Sequence, residues 1–420
     1  MTWLDKSKQE LDQLRSTLTK TYEDFRAQNL NLDMTRGKPG GAQLDLAAPM
    51  LSLPGPEQFK SKAGQDCRNY GGLDGLEEAK AMFAPMLDAN PSQLLIGGNA
   101  SLTLMHDTVV RAMLFGVPGG KGPWLKQGPI KFLCPVPGYD RHFGILENLG
   151  IGMIPVPLNE HGPDMDVVQS LVAKDASIKG IFCVPKYSNP TGTVYSDDVI
   201  DALATMKTAA PDFRIFWDNA YAVHHLGEGP TPIKSILQAC DAGGNPNRAF
   251  VFASTSKISF AGAGISFMAQ SQDNLVETKK RLGKQTIGPD KLNILRHVQF
   301  FKNYDGILAH MDRHAAILKP KFDVIQSTFD AAFEGTGICT YTNPKGGYFV
   351  SLDTLPGKAK KTVKLAEGLG LKLTNAGATF PKGEDPEDRN IRIAPSLPPL
   401  EEVKQAMEMI TVCIKLASLD

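Results

Sequence analysis

The sequence predicts an α/β fold in which a large domain built on a mostly parallel sheet is joined to a smaller, discontinuous α/β domain. Three observations lead there. Between residues 70 and 270, short apolar runs alternate with helix-like segments. The runs are four to six residues long, the length of strands buried on both faces. Strands that alternate with helices pack as a parallel sheet with helices on either side. The chain has 420 residues, which suits two or three domains of about 100–200 residues each. That length buries a core without disulfide or metal staples.

The elements follow in order. Residues 4–28 read as one amphipathic helix, because Leu4, Leu11, Leu14, Leu18, Tyr22 and Phe25 share a face. Pro and Gly dominate 37–56, which reads as an irregular connection. Helices are expected at 73–87, 101–115, 165–173 and 196–207. Strands are expected at 130–134, 152–156, 180–184, 214–217, 249–253 and 264–269. A long helical stretch over 291–329 should kink or break at Pro320. Strands at 348–352 and 391–394 close the chain. The domain boundaries expected are 51–305 for the large domain, and 1–50 with 306–420 for the small one.

Composition excludes several functions. Lysine plus arginine and aspartate plus glutamate each number 45, so the net charge is zero. Binding to nucleic acid or an anionic membrane rests on summed positive charge, which this chain lacks. Its apolar runs fall well short of the ~18 residues of a membrane span. Six scattered cysteines, without a C-x-x-C pair, indicate neither a zinc site nor a disulfide framework. A reduced, cytoplasmic setting is expected. Gly116 to Gly122 contains Pro-Gly-Gly-Lys-Gly but fails the phosphate-loop spacing. A regulator with a DNA-reading module would need more than the single helix that precedes Gly37.

Four segments carry possible chemistry. Lys257, in Ser254-Thr255-Ser256-Lys257, lies just past a buried strand; it is either a surface lysine or a desolvated amine nucleophile. Asp218 ends the strand before Asn219-Ala220-Tyr221. There it serves as a helix cap or meets a positive partner such as a protonated pyridine nitrogen. Asn189, in Ser188-Asn189-Pro190-Thr191-Gly192, sits in a turn after a strand, where its amide can donate to a phenolate or substrate oxygen. Gly97-Gly98-Asn99-Ala100-Ser101 opens a helix, as a cap or as an anion seat.

Together and in this order, these segments resemble the class I aminotransferases, which use pyridoxal 5'-phosphate and have the fold type I architecture. The resemblance extends through Gly37-Lys38-Pro39, Tyr70-Gly71-Gly72-Leu73, Pro137-Gly138-Tyr139 and Arg392-Ile393. The wording of Thr35-Arg36-Gly37-Lys38-Pro39 and Thr255-Ser256-Lys257-Ile258-Ser259-Phe260 is most like a bacterial aspartate aminotransferase subgroup, type Ic. The resemblance implies that Lys257 forms the Schiff base and shuttles the substrate proton. It implies Asp218 on the pyridinium nitrogen, Asn189 and Tyr221 on the phenolic oxygen, and Tyr139 stacked on the ring. Asn99, Ala100, Ser101, Ser254 and Ser256 would hold the phosphate, with Tyr70 reaching the phosphate of a partner subunit. Arg392 would grip the substrate α-carboxylate, and Gly37 would let the backbone approach it.

One position departs from the pattern. Most class I members carry an arginine eight residues after the Schiff-base lysine, where this chain has Ile265. Backbone N–H groups of Gly262-Ala263-Gly264, or Lys186, are the candidate replacements. The resemblance further implies a homodimer with shared active sites that moves the amino group of L-aspartate to 2-oxoglutarate. Transamination of alanine, aromatic or kynurenine-type amino acids, or a lyase reaction, is the alternative. Arg36, Lys38, Arg141, Lys186 and Arg296 are the candidates for a distal carboxylate.

Overall fold

The computed structural model describes residue 3 and residues 6–419. Its main feature is an eight-stranded sheet. In chain order the strands are β1 (Leu94–Ile96), β2 (Lys131–Val136), β3 (Gly152–Asn159), β4 (Gly162–Pro163), β5 (Ile178–Cys183), β6 (Arg214–Asp218), β7 (Ala249–Ser254) and β8 (Ser266–Gln270). Across the sheet they run β1-β8-β7-β6-β5-β2-β3-β4. The neighbours β3, β2, β5, β6 and β7 pair in parallel, while β4 is antiparallel to β3, and β8 is antiparallel to both β7 and β1. All six strands expected in this region are present, with ends displaced by at most three residues.

Burial explains the continuous apolar runs. Phe132, Phe182, Phe216, Phe250 and Phe252 pack on one face of the sheet. Leu133, Ile181, Ile215, Val251 and Phe267 pack on the other. Alternate residues thus enter different cores, so the middle of a central strand, such as Ile215-Phe216-Trp217, is apolar on both faces. Gly180 is needed because a Cβ there would lie 2.5 Å from Cε1 of the Phe132 ring.

The first helix, α1, spans Lys8–Ala27 and is opened by a Ser7–Glu10 capping box. Of the apolar stripe expected there, Leu4 lies outside the described residues, and Leu18 is the position that becomes fully buried. The 37–56 stretch is more ordered than expected. It holds a helical turn at Gly41–Asp45 and a 3₁₀ segment at Ala48–Ser52. Helices α2 (Ser101–Phe115) and α3 (Asp140–Asn148) follow β1 and β2.

The long C-terminal helical stretch breaks elsewhere than expected. Helix α4 (Lys291–Phe301) ends at Lys302, whose φ is 68°, and α5 (Tyr304–Phe333) starts under the cap of Asn303, which accepts from the Gly306 N–H at 2.9 Å. Pro320 stays inside α5 without interrupting it. A proline removes one helix hydrogen bond, and here Leu318, Phe322 and Ile325 hold both sides of it in a packed core.

A further core gathers Leu32, Met34, Phe329, Val350, Leu352, Ile391, Ile393 and Ile410. It is built on a three-stranded antiparallel sheet of Cys339–Tyr341, Val350–Thr354 and Asn390–Ile393. Residues 32–33 pair in parallel with 371–372 nearby. Helix α5 joins the cores: Ile307 and Met311 pack under the large sheet, Leu318 and Phe329 in the second core.

Candidate active site

In an open parallel sheet the functional groups gather past the carboxyl ends of the strands, and that is where the candidate residues fall. Tyr139 follows β2, Asn189 follows β5, Asp218 ends β6, and Ser254, Ser256 and Lys257 leave β7.

Asp218 is buried, with 2% exposure. Its Oδ2 lies 2.9 Å from His142 Nε2, and its Oδ1 is buried without a partner. A buried carboxylate oxygen left unpaired is costly, so this position suits a cationic N–H donor. His142 stands on the first turn of α3, stacked on Phe182 and edge-on to Tyr139 at 5.0 Å. Sequence reasoning missed His142; its signal was a histidine one helical turn past Tyr139.

Lys257 Nζ lies 5.0 Å from the Tyr221 ring centroid. Burial lowers the Lys257 ammonium pKa from its ordinary value, opposed by attraction to Asp218. The same burial, with Tyr139 and Asp218 nearby, raises the Tyr221 phenol well above its ordinary value. Tyr221 therefore remains an O–H donor. Burial also pushes Tyr139 up to about 12. Behind the lysine, Tyr348 donates to the Lys257 carbonyl at 3.2 Å and accepts from Gln43 at 2.8 Å.

The anion seat is assembled from two loops. Ser254 Oγ donates to Ser256 Oγ at 3.0 Å, and Ser256 Oγ donates to the Asn99 carbonyl at 3.2 Å. Asn99 leads into α2, whose cap residue Ala100 offers no side-chain acceptor to the first helical N–H groups, Ser101 among them. Those N–H groups and the serine hydroxyls suit a phosphate.

The replacements considered for the missing arginine fare differently. Ile265 is buried in the large core, and its N–H donates to Thr255 Oγ1 at 3.0 Å. A Cβ at Gly264 would lie 3.1 Å from the Phe260 carbonyl oxygen and 3.2 Å from the Asn99 carbonyl oxygen, so this glycine lets the two loops pack closely, and the Ala263 N–H donates to the Phe260 carbonyl at 3.2 Å. Lys186 is buried and donates to the Ala222 carbonyl at 3.2 Å.

Arg392 comes from the small sheet and meets Asn189. Its Nη1 donates to Asn189 Oδ1 at 3.3 Å and to Asp140 Oδ1 at 2.9 Å. Its guanidinium carbon stands 4.9 Å from the Phe349 ring centroid. Gly37 closes against the same ring: a Cβ there would fall 2.7 Å from Phe349 Cε1. The structure thus brings Tyr139, Asn189, Asp218, Tyr221, Lys257, Arg392 and Gly37 together past the carboxyl ends of the strands. Tyr70 stands apart and is 80% exposed. Among the distal-carboxylate candidates, Arg296 is engaged by the Leu53 carbonyl and Lys186 by Ala222, whereas Arg36, Lys38 and Arg141 are exposed.

The family model described as aspartate amino-transferase matches residues 6–420. The chain belongs to the aspartate aminotransferase family. It is therefore an aminotransferase of the pyridoxal-phosphate-dependent, fold type I class. An aspartate aminotransferase of Corynebacterium glutamicum is 45% identical over 403 residues, covering 96% of this chain and 93% of that protein. The crystal structure of an aspartate transaminase from the same organism superposes with a TM-score of 0.97 at 43% identity, covering 100% of this chain and 99% of that one. The α-aminoadipate aminotransferase of Thermus thermophilus, at 19% identity and a TM-score of 0.74 with 92% of each chain covered, shares the fold. No described helix is long and apolar enough to cross a membrane.

Proposed function

We propose that this aminotransferase binds pyridoxal 5'-phosphate on Lys257 and transfers the amino group of L-aspartate to 2-oxoglutarate. The observation that carries the cofactor is the Asp218 carboxylate, held on one oxygen by His142 and left unpaired on the other. Aspartate as donor is supported by the Corynebacterium glutamicum relative.

When bound, the cofactor supplies an electron sink for the substrate Cα–H bond. The chain's residues do the rest. Asp218 keeps a ring nitrogen protonated, and His142 holds Asp218 in place. Tyr221 and the Asn189 amide donate to the ring oxygen. Lys257, its charge disfavoured by burial, takes and returns the proton at the substrate Cα. Arg392 binds the α-carboxylate beside Gly37. Tyr139 covers the ring, and Ser254, Ser256, Asn99, Ala100 and Ser101 receive the phosphate.

We further propose a cytoplasmic homodimer in which exposed Tyr70 completes the neighbouring site, and a division into 51–305 and 1–50 with 306–420. The visible absorption spectrum tests the main reading. Adding L-aspartate without a keto acid should convert the cofactor's yellow band to the amino form, and 2-oxoglutarate should restore it. A yellow protein indifferent to aspartate would reject the substrate. A protein that stays colourless with added pyridoxal phosphate would reject the cofactor.

A further inference from the structure

Arg392 is 8% exposed, its guanidinium enclosed between Asp140, Asn189 and the Phe349 ring. A carboxylate is gripped best by two N–H groups on one edge of the guanidinium. Nε is buried without a partner, and a carboxylate received end-on would use the Nη1–Nη2 edge. Asp140 already holds Nη1 at 2.9 Å.

We propose that Asp140 is a resident counter-carboxylate for Arg392, exchanged for the substrate's α-carboxylate, and that it thereby sets the affinity of the site for carboxylates. The proposal rests on the reading of Arg392 as the α-carboxylate receptor.

Three features fit an exchange. A guanidinium confined without a counter-charge is expensive, and Asp140 supplies one in the resting site. The Asp140 side chain is 37% exposed, so it can turn to water without burying its charge. It is also the first residue of α3, where a negative charge is favoured by the helix N-terminus. Release from Arg392 therefore leaves it in a favourable place. Asn189 Oδ1, at 3.3 Å from Nη1, keeps the arginine oriented during the exchange. Asp140 is a positioning residue: it acts through Arg392.

The test uses holoenzyme carrying Asp140→Asn, Asp140→Glu or Arg392→Ala. Acetate is the probe, since it needs Arg392 alone; binding is followed by the cofactor absorbance, with amino-acid kinetics alongside. Asp140→Asn should bind acetate about three- to tenfold more tightly, the worth of a half-exposed ion pair. The amino-acid KM should fall by a similar factor while kcat stays within about twofold. Asp140→Glu, which restores the counter-charge, should return to wild-type affinity. Unchanged or weaker acetate binding in Asp140→Asn, with Arg392→Ala still weakening it, would overturn the proposal and leave the function intact. Acetate binding indifferent to Arg392→Ala would instead overturn the receptor reading on which the proposal stands.

Discussion

Replacing Asp218 by Asn separates what the site spends on catalysis from what it spends on folding. The substitution keeps size and shape and removes the charge. Asp218 and His142 side chains are each 3% exposed, so the carboxylate works where water screens it little. Removing one partner of a buried charge pair costs about 3–5 kcal/mol. At about 1.4 kcal/mol per factor of ten, kcat/KM should fall by roughly 10²- to 10⁴-fold. The cofactor-free protein should behave differently. There Oδ1 is already buried and unpaired, and an Asn would still present an oxygen to His142 while leaving an amide donor unpaired instead. One orphaned group replaces another, so the apo melting temperature should move by less than about 2 °C, the scale of a sub-kcal change in a chain this long. Single-turnover kinetics with L-aspartate and thermal scans with and without cofactor supply both numbers. An Asn variant within tenfold of the wild-type rate would show that Oδ1 does not face the cofactor, and the site would have to be rebuilt around another acid.

Other substitutions probe separate parts of the site. Lys257→Ala should abolish turnover, and borohydride should no longer fix the cofactor to the chain, as read by intact mass. Gly37→Ala should push on the Phe349 ring, costing about 1–3 kcal/mol of stability by overpacking and raising the amino-acid KM through Arg392; an unchanged melting temperature and KM would refute the contact. His297 supplies a pH test: its folded pKa is lowered by burial from 6.5 to about 4, and it lies 2.8 Å from Ser259 Oγ and 3.1 Å from Thr255 Oγ1. The unfolded chain takes up that proton first, so stability should be lost as pH falls from about 6.5 to about 4, on the order of 3 kcal/mol. Urea midpoints at pH 7 and 5 should show a smaller drop in His297→Gln.

The parts of this fold that could be read in the sequence are those in which local pattern and tertiary burial agree. Strand β6 is buried at every position, so its apolar run is continuous. The serine and glycine punctuation at 97–101 opens α2 at Ser101, where it was expected. Strand β1, Leu94–Ile96, escaped notice because three residues give no period. The break between α4 and α5 was missed because proline is a louder signal than the Asn303 cap. Lys257 and Asp218 stood out because strand ends are visible in sequence. His142 and Asp140 did not, since their partners Asp218 and Arg392 lie 76 and 252 residues away. Only the packing of α3 over the sheet's carboxyl edge brings one turn of helix to both Asp218 and Arg392.

The same coupling of loop to core explains the isoleucine in the arginine's place and yields a last expectation. Thr255 is fully buried and ties the loop three ways: its Oγ1 accepts from the Ile265 N–H, meets Ser259 Oγ at 3.1 Å, and meets His297 Nε2 at 3.1 Å. That lattice turns the Ile265 side chain into the large core, where an arginine would bury its charge at heavy cost. In the proposed site the phosphate would then be received by neutral donors: the serine hydroxyls and the first N–H groups of α2. A hydrogen bond to a charged group is worth about 1.5–3 kcal/mol, so Ser256→Ala should weaken cofactor binding by roughly ten- to a hundredfold. Neutral donors attract an anion at short range, so raising salt should alter cofactor affinity by far less than Ser256→Ala does. Equilibrium dialysis of the cofactor at low and high salt, for both proteins, measures each effect. A strong salt dependence with a silent Ser256→Ala would mean that a cation outside this loop carries the phosphate, and that the serines merely join the two loops.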